Sequence, residues 1–205
     1  MDHLIELIGH YIPGADDVLE KVASHIKERK VLKNDFVLQA DGICRKVCFI
    51  SKGACIMFRR DKDGKEEVTE FQFEGALTGD YVSFIRQEPS EHYIRALEDT
   101  LIEEINYDEL HHLYRTMPLL ERAGRILSEQ IYCKVITRMT SYQNDSPEVR
   151  YQQLLDENPM LFQRVPQYLI ASFLGVTPVG LSKIRKRLHD NPPSRPNLLN
   201  EFNEK

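Results

Sequence analysis

The stretch VPQYLIASFLGVTPVGLSKIRKRL, Val165 to Leu188, constrains the fold more tightly than any other part of the 205-residue chain. Each of its punctuating residues answers a backbone requirement. Pro166 suits the first turn of a helix, where its missing N–H costs nothing, and Leu169, Ile170 and Phe173 then give that helix one apolar face. Ala171 leaves room for a second helix to cross closely. Gly175 stands where a tight turn needs positive φ, Val176 can plug the angle between the helices, and Thr177-Pro178 reads as an N-cap followed by proline at N1. In the helix that starts there, Leu181, Ile184 and Leu188 face inward, leaving Val179, Ser182, Lys183, Lys186 and Arg187 outside. This is a helix-turn-helix pattern whose second helix is laid out to enter a major groove.

Charge points the same way. The chain as a whole carries a formal net charge of -5, which excludes a protein that coats nucleic acid indiscriminately. From Asn158 to His189, however, there are basic residues at Arg164, Lys183, Arg185, Lys186 and Arg187 and no Asp or Glu, the footprint expected of phosphate contact. Two helices capping some other core with a lysine-rich solvated face would share the coarse pattern. The coincidence of turn glycine, cap, proline and apolar spacing favours DNA binding.

Upstream, the periodicity changes twice. Val18, Leu19, Val22, Ala23 and Ile26 predict a short amphipathic helix from Asp16 to Glu28, with Asp16 or Asp17 as N-cap. Brief β-rich runs follow at Phe36–Leu38, Val47–Ile50, Cys55–Phe58, Val68–Phe73, Tyr93–Ile94 and Leu101–Ile105. Asp41-Gly42, Lys52-Gly53, Asp63-Gly64 and Glu74-Gly75 separate them as tight turns, so an antiparallel barrel or sandwich is expected. After Pro118 the pattern becomes helical, with Leu120, Leu127, Ile131, Val135 and Met139 in one stripe and Ile126 beside it. So long a helix needs a partner, either its own domain or a second copy's helix. Ser141 to Glu157 reads as polar, and helical patterns resume near Gln152. Asn191 to Lys205, rich in proline and asparagine, reads as a loose tail.

Other function classes find little support. The four cysteines, Cys44, Cys48, Cys55 and Cys133, lack metal or disulfide spacing, which fits a reducing cytoplasm. The opening residues have no basic n-region, and no apolar run reaches membrane-spanning length. Neither a nucleophile–base arrangement nor a phosphate-cradling glycine loop is present, so no enzyme is expected.

With these residues in view, the chain resembles the Crp/Fnr family of bacterial regulators, in which a cyclic-nucleotide-binding β-roll joins a helix-turn-helix through a long dimerisation helix. The likeness is carried by FISKGACIMFRRDKDGKEEVTEF (Phe49 to Phe71), Gly75, Gly79-Asp80, YIRALEDTLIEEI (Tyr93 to Ile105) and Val165 to Leu188. It implies an α+β protein: a jelly-roll-like, cupin-like antiparallel sensor domain over 1–116, a dimerisation helix and hinge over 117–145, and a winged-helix-like helix-turn-helix domain over 146–205. Beyond Leu188 the β-rich wing of many relatives is not read, since Asn191-Pro192-Pro193 ends the pattern.

The resemblance also sharpens the ligand question. Effector-binding members place a Gly-Glu pair before a short helix and then an Arg-Ser/Thr-Ala run; the glutamate holds a ribose hydroxyl and the arginine the cyclic phosphate. Here Gly79 is kept, Asp80 replaces the glutamate, and an ungapped count puts Ser90 at the arginine position, followed by Glu91 and His92. A phosphate site without its arginine and with an added carboxylate loses its charge-assisted clamp, so cyclic AMP is expected to bind weakly or not at all. Arg86 and Arg95 are the nearest substitutes. In the purine-contacting part of the long helix, Thr137 is the only hydroxyl. Haem sensing would draw on His92 or His111-His112, for which solvated or capping roles are the ordinary alternative. The pair Cys44 and Cys48 reads as packing rather than redox chemistry.

The expected function is that of a cytoplasmic homodimeric transcription regulator on a palindromic operator. Its partners are double-stranded DNA, a second copy through 117–145 and RNA polymerase, with no cofactor and no membrane. Ser182, Lys183 and Lys186 are expected near base edges or phosphates, Val179 beside them, and Thr177, Arg185 and Arg187 on backbone. Pro178 and Val179 replace the base-reading arginine and glutamate of the best-known members, so their operator does not transfer. The competing reading is a nucleotide- or small-molecule-binding signalling module whose terminal helices make protein contacts.

Overall fold

The computed structural model describes residues 3–190. The chain divides into two compact units, Met1–Gln143 and Asn144–Lys205. The segment read as a loose tail, on which the expected lack of a β-rich wing rests, lies outside the described residues.

The N-terminal unit holds two four-stranded antiparallel sheets. One runs β1(Lys27–Val31), β8(Thr100–Asn106), β3(Lys46–Lys52), β6(Leu77–Thr78); the other runs β2(Phe36–Leu38), β7(Tyr93–Ala96), β4(Cys55–Arg60), β5(Glu66–Gln72). Strand alternation gives each sheet one face toward the other. Val31, Cys48, Ile50, Cys55, Ile94, Ala96 and Ile102 meet there as a closed apolar cluster. Phe49 and Ile105, one step out of phase, turn to the opposite face. They join a second cluster with α1(His3–Tyr11), α2(Asp16–Ala23), α4(Tyr107–Thr116) and the start of α5(Pro118–Asn144).

Six of the eight strands coincide with the predicted runs. Gly53 shows why its turn needs glycine: at φ +101 an added Cβ would lie 2.5 Å from Thr100 Oγ1 and 2.7 Å from its Cα, so both conformation and space exclude a side chain.

Several expectations are corrected. The Asp16 helix stops at Ala23 rather than Glu28, because Lys27 to Val31 is drawn into a strand paired with β8, from Lys27 opposite Glu104 to Val31 opposite Thr100. Its N-cap is Ala15, which makes no side-chain cap; Asp16 and Asp17 occupy the first turn, where carboxylates favour the helix dipole. The opening residues form α1, held at its start by the buried carboxylate of Glu103, which accepts from the His3 amide at 3.1 Å and the Leu4 amide at 2.7 Å. The short strand β6 and the helix α4 also go beyond the predicted elements, and the helical pattern expected from near Gln152 begins already at Pro147 as α6(Pro147–Glu157).

α5 is the predicted long helix, 27 residues from Pro118 to Asn144. Its first turns, at Leu120 and Ala123, are buried against its own unit. From Tyr132 to Thr140 every residue is exposed, including Tyr132, Val135, Ile136 and Met139. No described helix is long and apolar enough to cross a membrane.

The C-terminal unit contains α6(Pro147–Glu157), α7(Leu161–Arg164), α8(Gln167–Phe173) and α9(Pro178–Asp190). Its core is built from Tyr151, Leu154, Leu161, Val165, Leu169, Ile170, Ala171, Leu174, Leu181 and Ile184, all buried.

Candidate functional site

Two places carry candidate chemistry, one in each unit. In the C-terminal unit, Pro166 sits at the N-cap of α8 rather than in its first turn, and its carbonyl accepts from Leu169 and Ile170. Gly175 makes the turn at φ 67. Thr177 caps α9, its Oγ1 accepting from the Gly180 amide at 3.0 Å, and Pro178 is the first helical residue. The fit of Leu181 and Ile184 into the core fixes which side of α9 meets solvent. Val179, Ser182, Lys183 and Lys186, spaced i, i+3, i+4 and i+7, form one exposed stripe. Ser182 Oγ is bonded to the Pro178 carbonyl at 3.1 Å. Lys183 and Lys186 have no carboxylate partner among the described residues.

Arg185 and Arg187 behave differently from those two lysines. Arg185 lies over the Phe162 ring, 5.0 Å from its centroid, and bonds the Tyr151 hydroxyl; burial raises the Tyr151 pKa and Arg185 offsets part of that rise. Arg187 pairs with Glu148 on α6 at 2.9 Å. Both arginines thereby tie α9 to its own unit. Beside them a cleft of about 520 Å³ opens between α6 and α9, lined by Ser182, Arg185 and Lys186.

In the N-terminal unit, the diverged ligand segment gathers Asp80, Ser90 and His92 into one network. Asp80 is the N-cap of α3(Tyr81–Arg86): its Oδ1 accepts from the amides of Val82 at 3.0 Å and Ser83 at 3.2 Å. Its Oδ2 accepts from Ser90 Oγ at 2.7 Å and meets His92 Nδ1 at 3.0 Å. Ser90 Oγ also accepts from the His92 amide. Asp80 and Ser90 are both buried. Burial works to raise the Asp80 pKa, but the hydrogen bonds from Ser90, His92 and Ser83 outweigh it and hold the carboxyl below its ordinary value.

The remaining candidates stand apart from this network. Glu91 is exposed, with Arg59 3.9 Å away. Gly79 lies against Cys44 and Lys46, and Thr137 is exposed on α5. Arg95 is held by a two-pronged pair with Glu66, at 2.6 and 2.8 Å, and lies over the Phe58 ring; Arg86 is exposed at the end of α3. His111 packs among Phe84, Tyr107 and Tyr114. Cys44, Cys48 and Cys55 are buried thiols, and burial pushes Cys48 and Cys55 up to about 12, which makes them poor nucleophiles.

A second carboxylate goes beyond the predicted site residues. Glu103 and Glu104 are neighbours on β8, so they point to opposite faces. Glu103 faces α1. Glu104 faces the inter-sheet space, where Arg29 Nε lies at 2.9 Å and the Lys46 ammonium also bonds it. Burial raises the Glu104 pKa, but Lys46 and Arg29 outweigh that and lower it.

Comparison with known proteins agrees with this architecture. Residues 28–117 match the cyclic nucleotide-binding domain family. No curated protein matches the chain in sequence. Among solved structures, FixK2 from Bradyrhizobium japonicum is similar at TM-score 0.69 and 17% identity, covering 80% of this chain and 85% of that one. The c-di-GMP responsive global regulator CLP of Xanthomonas campestris is similar at TM-score 0.64 and 18% identity, covering 85% and 92%. The catabolite activator protein of Thermus thermophilus is similar at TM-score 0.53 and 17% identity, covering 90% and 87%. Residues 28–117 are thus similar to the cyclic nucleotide-binding domain family, and the chain shares the α+β fold of these Crp/Fnr-like structures.

Proposed function

We propose that the chain is a cytoplasmic, DNA-binding transcription regulator that acts as a homodimer on a palindromic operator without gating by cyclic AMP. The observation that carries the reading is the exposed stripe Val179–Ser182–Lys183–Lys186 on α9, a helix whose other side is fixed by a buried core. Lys183 and Lys186 lack competing carboxylates among the described residues, so their charge is available to phosphates or base edges. Arg185 and Arg187, each tied within the unit, orient α9 and reach backbone phosphates at its flank, with Thr177 presenting the helix start. In this reading 1–116 is the sensor, 117–145 the dimerisation helix and hinge, and 146–205 the DNA-binding domain. RNA polymerase is the further partner proposed for the DNA-bound dimer, and no enzymatic role is assigned.

Lys183→Ala is expected to weaken operator binding across all sequences and to lower the salt slope of log K by about one, read by fluorescence anisotropy on a selected operator. Unchanged affinity and slope would remove Lys183 from the interface. If no duplex is bound at any salt, the competing reading takes over, a ligand-binding signalling module whose terminal helices contact protein.

The absence of cyclic AMP gating rests on Asp80, Ser90 and His92. These residues satisfy one another and the α3 amides, so the positions that would clamp ribose and phosphate already have partners. Cyclic AMP at millimolar concentration is expected to leave the melting temperature of the full chain unchanged; a rise of several degrees would contradict the reading.

A further inference from the structure

We propose that the inter-sheet cleft bordered by β1, β2 and the start of β3 is a binding site for a small organic anion, its carboxylate or phosphate head held by Arg29 and Lys46. The cleft measures about 330 Å³, with Arg29, Arg45 and Lys46 among its lining and Val37, Leu38 and Ile43 supplying an apolar wall. Register explains why two of these cations face inward. Arg29 stands opposite Ile102, and Lys46 opposite Asn106, on the face that also carries Ile50 and Glu104.

The buried carboxylate of Glu104 holds both cations in place. It uses only the Nε of Arg29 and one bond of the Lys46 ammonium. The two terminal nitrogens of Arg29 therefore keep their donors without a partner among the described residues, as does the Arg45 side chain. Arg29, Arg45 and Lys46 outnumber the two nearby carboxylates, Glu104 and the Asp80 that acts on Cys44, and a fixed guanidinium fork suits a planar carboxylate or a phosphate. Arg29 and Lys46 come from the sheet strands and Arg45 from the loop before β3; Gly79 and Cys44 also line the cleft, while the side chains of Asp80, Ser90 and His92 next to it satisfy one another. The apolar wall favours an anion with a hydrocarbon body over a bare ion.

The inference deepens the regulator reading by naming a class of effector, and its test contains no DNA. Failure here therefore leaves that reading standing, and failure of operator binding leaves this one. The test is isothermal titration of the full chain at low ionic strength with hexanoate, hexyl phosphate and inorganic phosphate. One of the two hexyl compounds is expected to bind more tightly than inorganic phosphate, and which one binds identifies the head group. Lys46→Gln is expected to cut that affinity by about tenfold, the loss of one charge-assisted hydrogen bond. Glu104→Gln removes the competing carboxylate and is expected to raise it, an increase that a folding defect cannot imitate. Arg45→Gln, at an exposed position, is expected to lower it more modestly. The proposal is overturned if neither hexyl compound binds, if inorganic phosphate binds as tightly as both, or if Lys46→Gln and Glu104→Gln leave the affinity unchanged.

Discussion

A chain carrying Ile136→Glu together with Met139→Glu is expected to run as a monomer in light scattering and to lose operator affinity by about a thousandfold, down to the level of non-specific binding. The first turns of α5 are consumed by the core of the N-terminal unit at Leu120 and Ala123, while Tyr132, Val135, Ile136, Met139 and Tyr142 remain exposed. Spaced i, i+3, i+4, i+7 and i+10, these five lie along one side of the helix. A contiguous apolar stripe on an otherwise polar helix marks an interaction surface, and a second copy offers the same stripe in return. Two carboxylates on each helix place four like charges in that seam, at a desolvation cost. Because Ile136 and Met139 are exposed within one copy, the far-ultraviolet spectrum should be unchanged. A dimer that survives the double substitution would exclude this stripe as the interface.

Asp80→Ala is expected to destabilise the N-terminal unit by about 2–4 kcal/mol, summing a lost N-cap and the lost buried hydrogen bonds from Ser90 and His92. The melting temperature should fall by on the order of 10 °C. A carboxylate kept for an absent ligand would behave in the opposite way, since its removal would leave stability unchanged or improve it. The pH dependence adds a second test. The folded-state pKa of Asp80 is depressed, so its contribution is complete above the unfolded value, about 3.9, and is lost as pH falls through the folded value. Glu104, also depressed, contributes in the same direction. Asp80→Asn should therefore flatten part of the acid limb of the stability curve below about pH 4; a limb identical to wild type would contradict the network.

The helix-turn-helix was the most legible part of the sequence because its turn, cap and crossing each demand a particular residue. Gly175, Thr177-Pro178 and Leu181 leave few alternatives for the backbone; the structure differs in placing Pro166 one position earlier and in burying Leu174 while Phe173 and Leu188 stay half-buried. Strands with alternating apolar residues were legible for the same kind of reason. β1 was not, since Lys-Glu-Arg-Lys-Val contains one apolar residue, and its place is set by distant pairing with β8. Signals for α1 and α6 were present: Leu4 and Ile8 share a face, and Ser146-Pro147 repeats the cap-then-proline arrangement of Thr177-Pro178. At Asp80, spacing along the chain correctly drew attention to Ser90 and His92. It could not show that they answer Asp80 itself, because the chain must fold back over ten and twelve positions to bring them there. Likewise, alternation places Glu103 and Glu104 on opposite faces, but only the packing of α1 on one side and of Arg29 and Lys46 on the other gives each carboxylate its partners.

The central claim, that this chain is a sequence-specific dimeric DNA-binding regulator, is tested most directly by selecting fragments of genomic DNA with the purified full chain and sequencing what is retained. The account predicts an enriched motif with two-fold symmetry, its half-sites about 34 Å or one helical turn apart, and loss of that enrichment when Lys183 and Lys186 are replaced by alanine. Retention of DNA without any common motif, or enrichment that survives the double substitution, would contradict it.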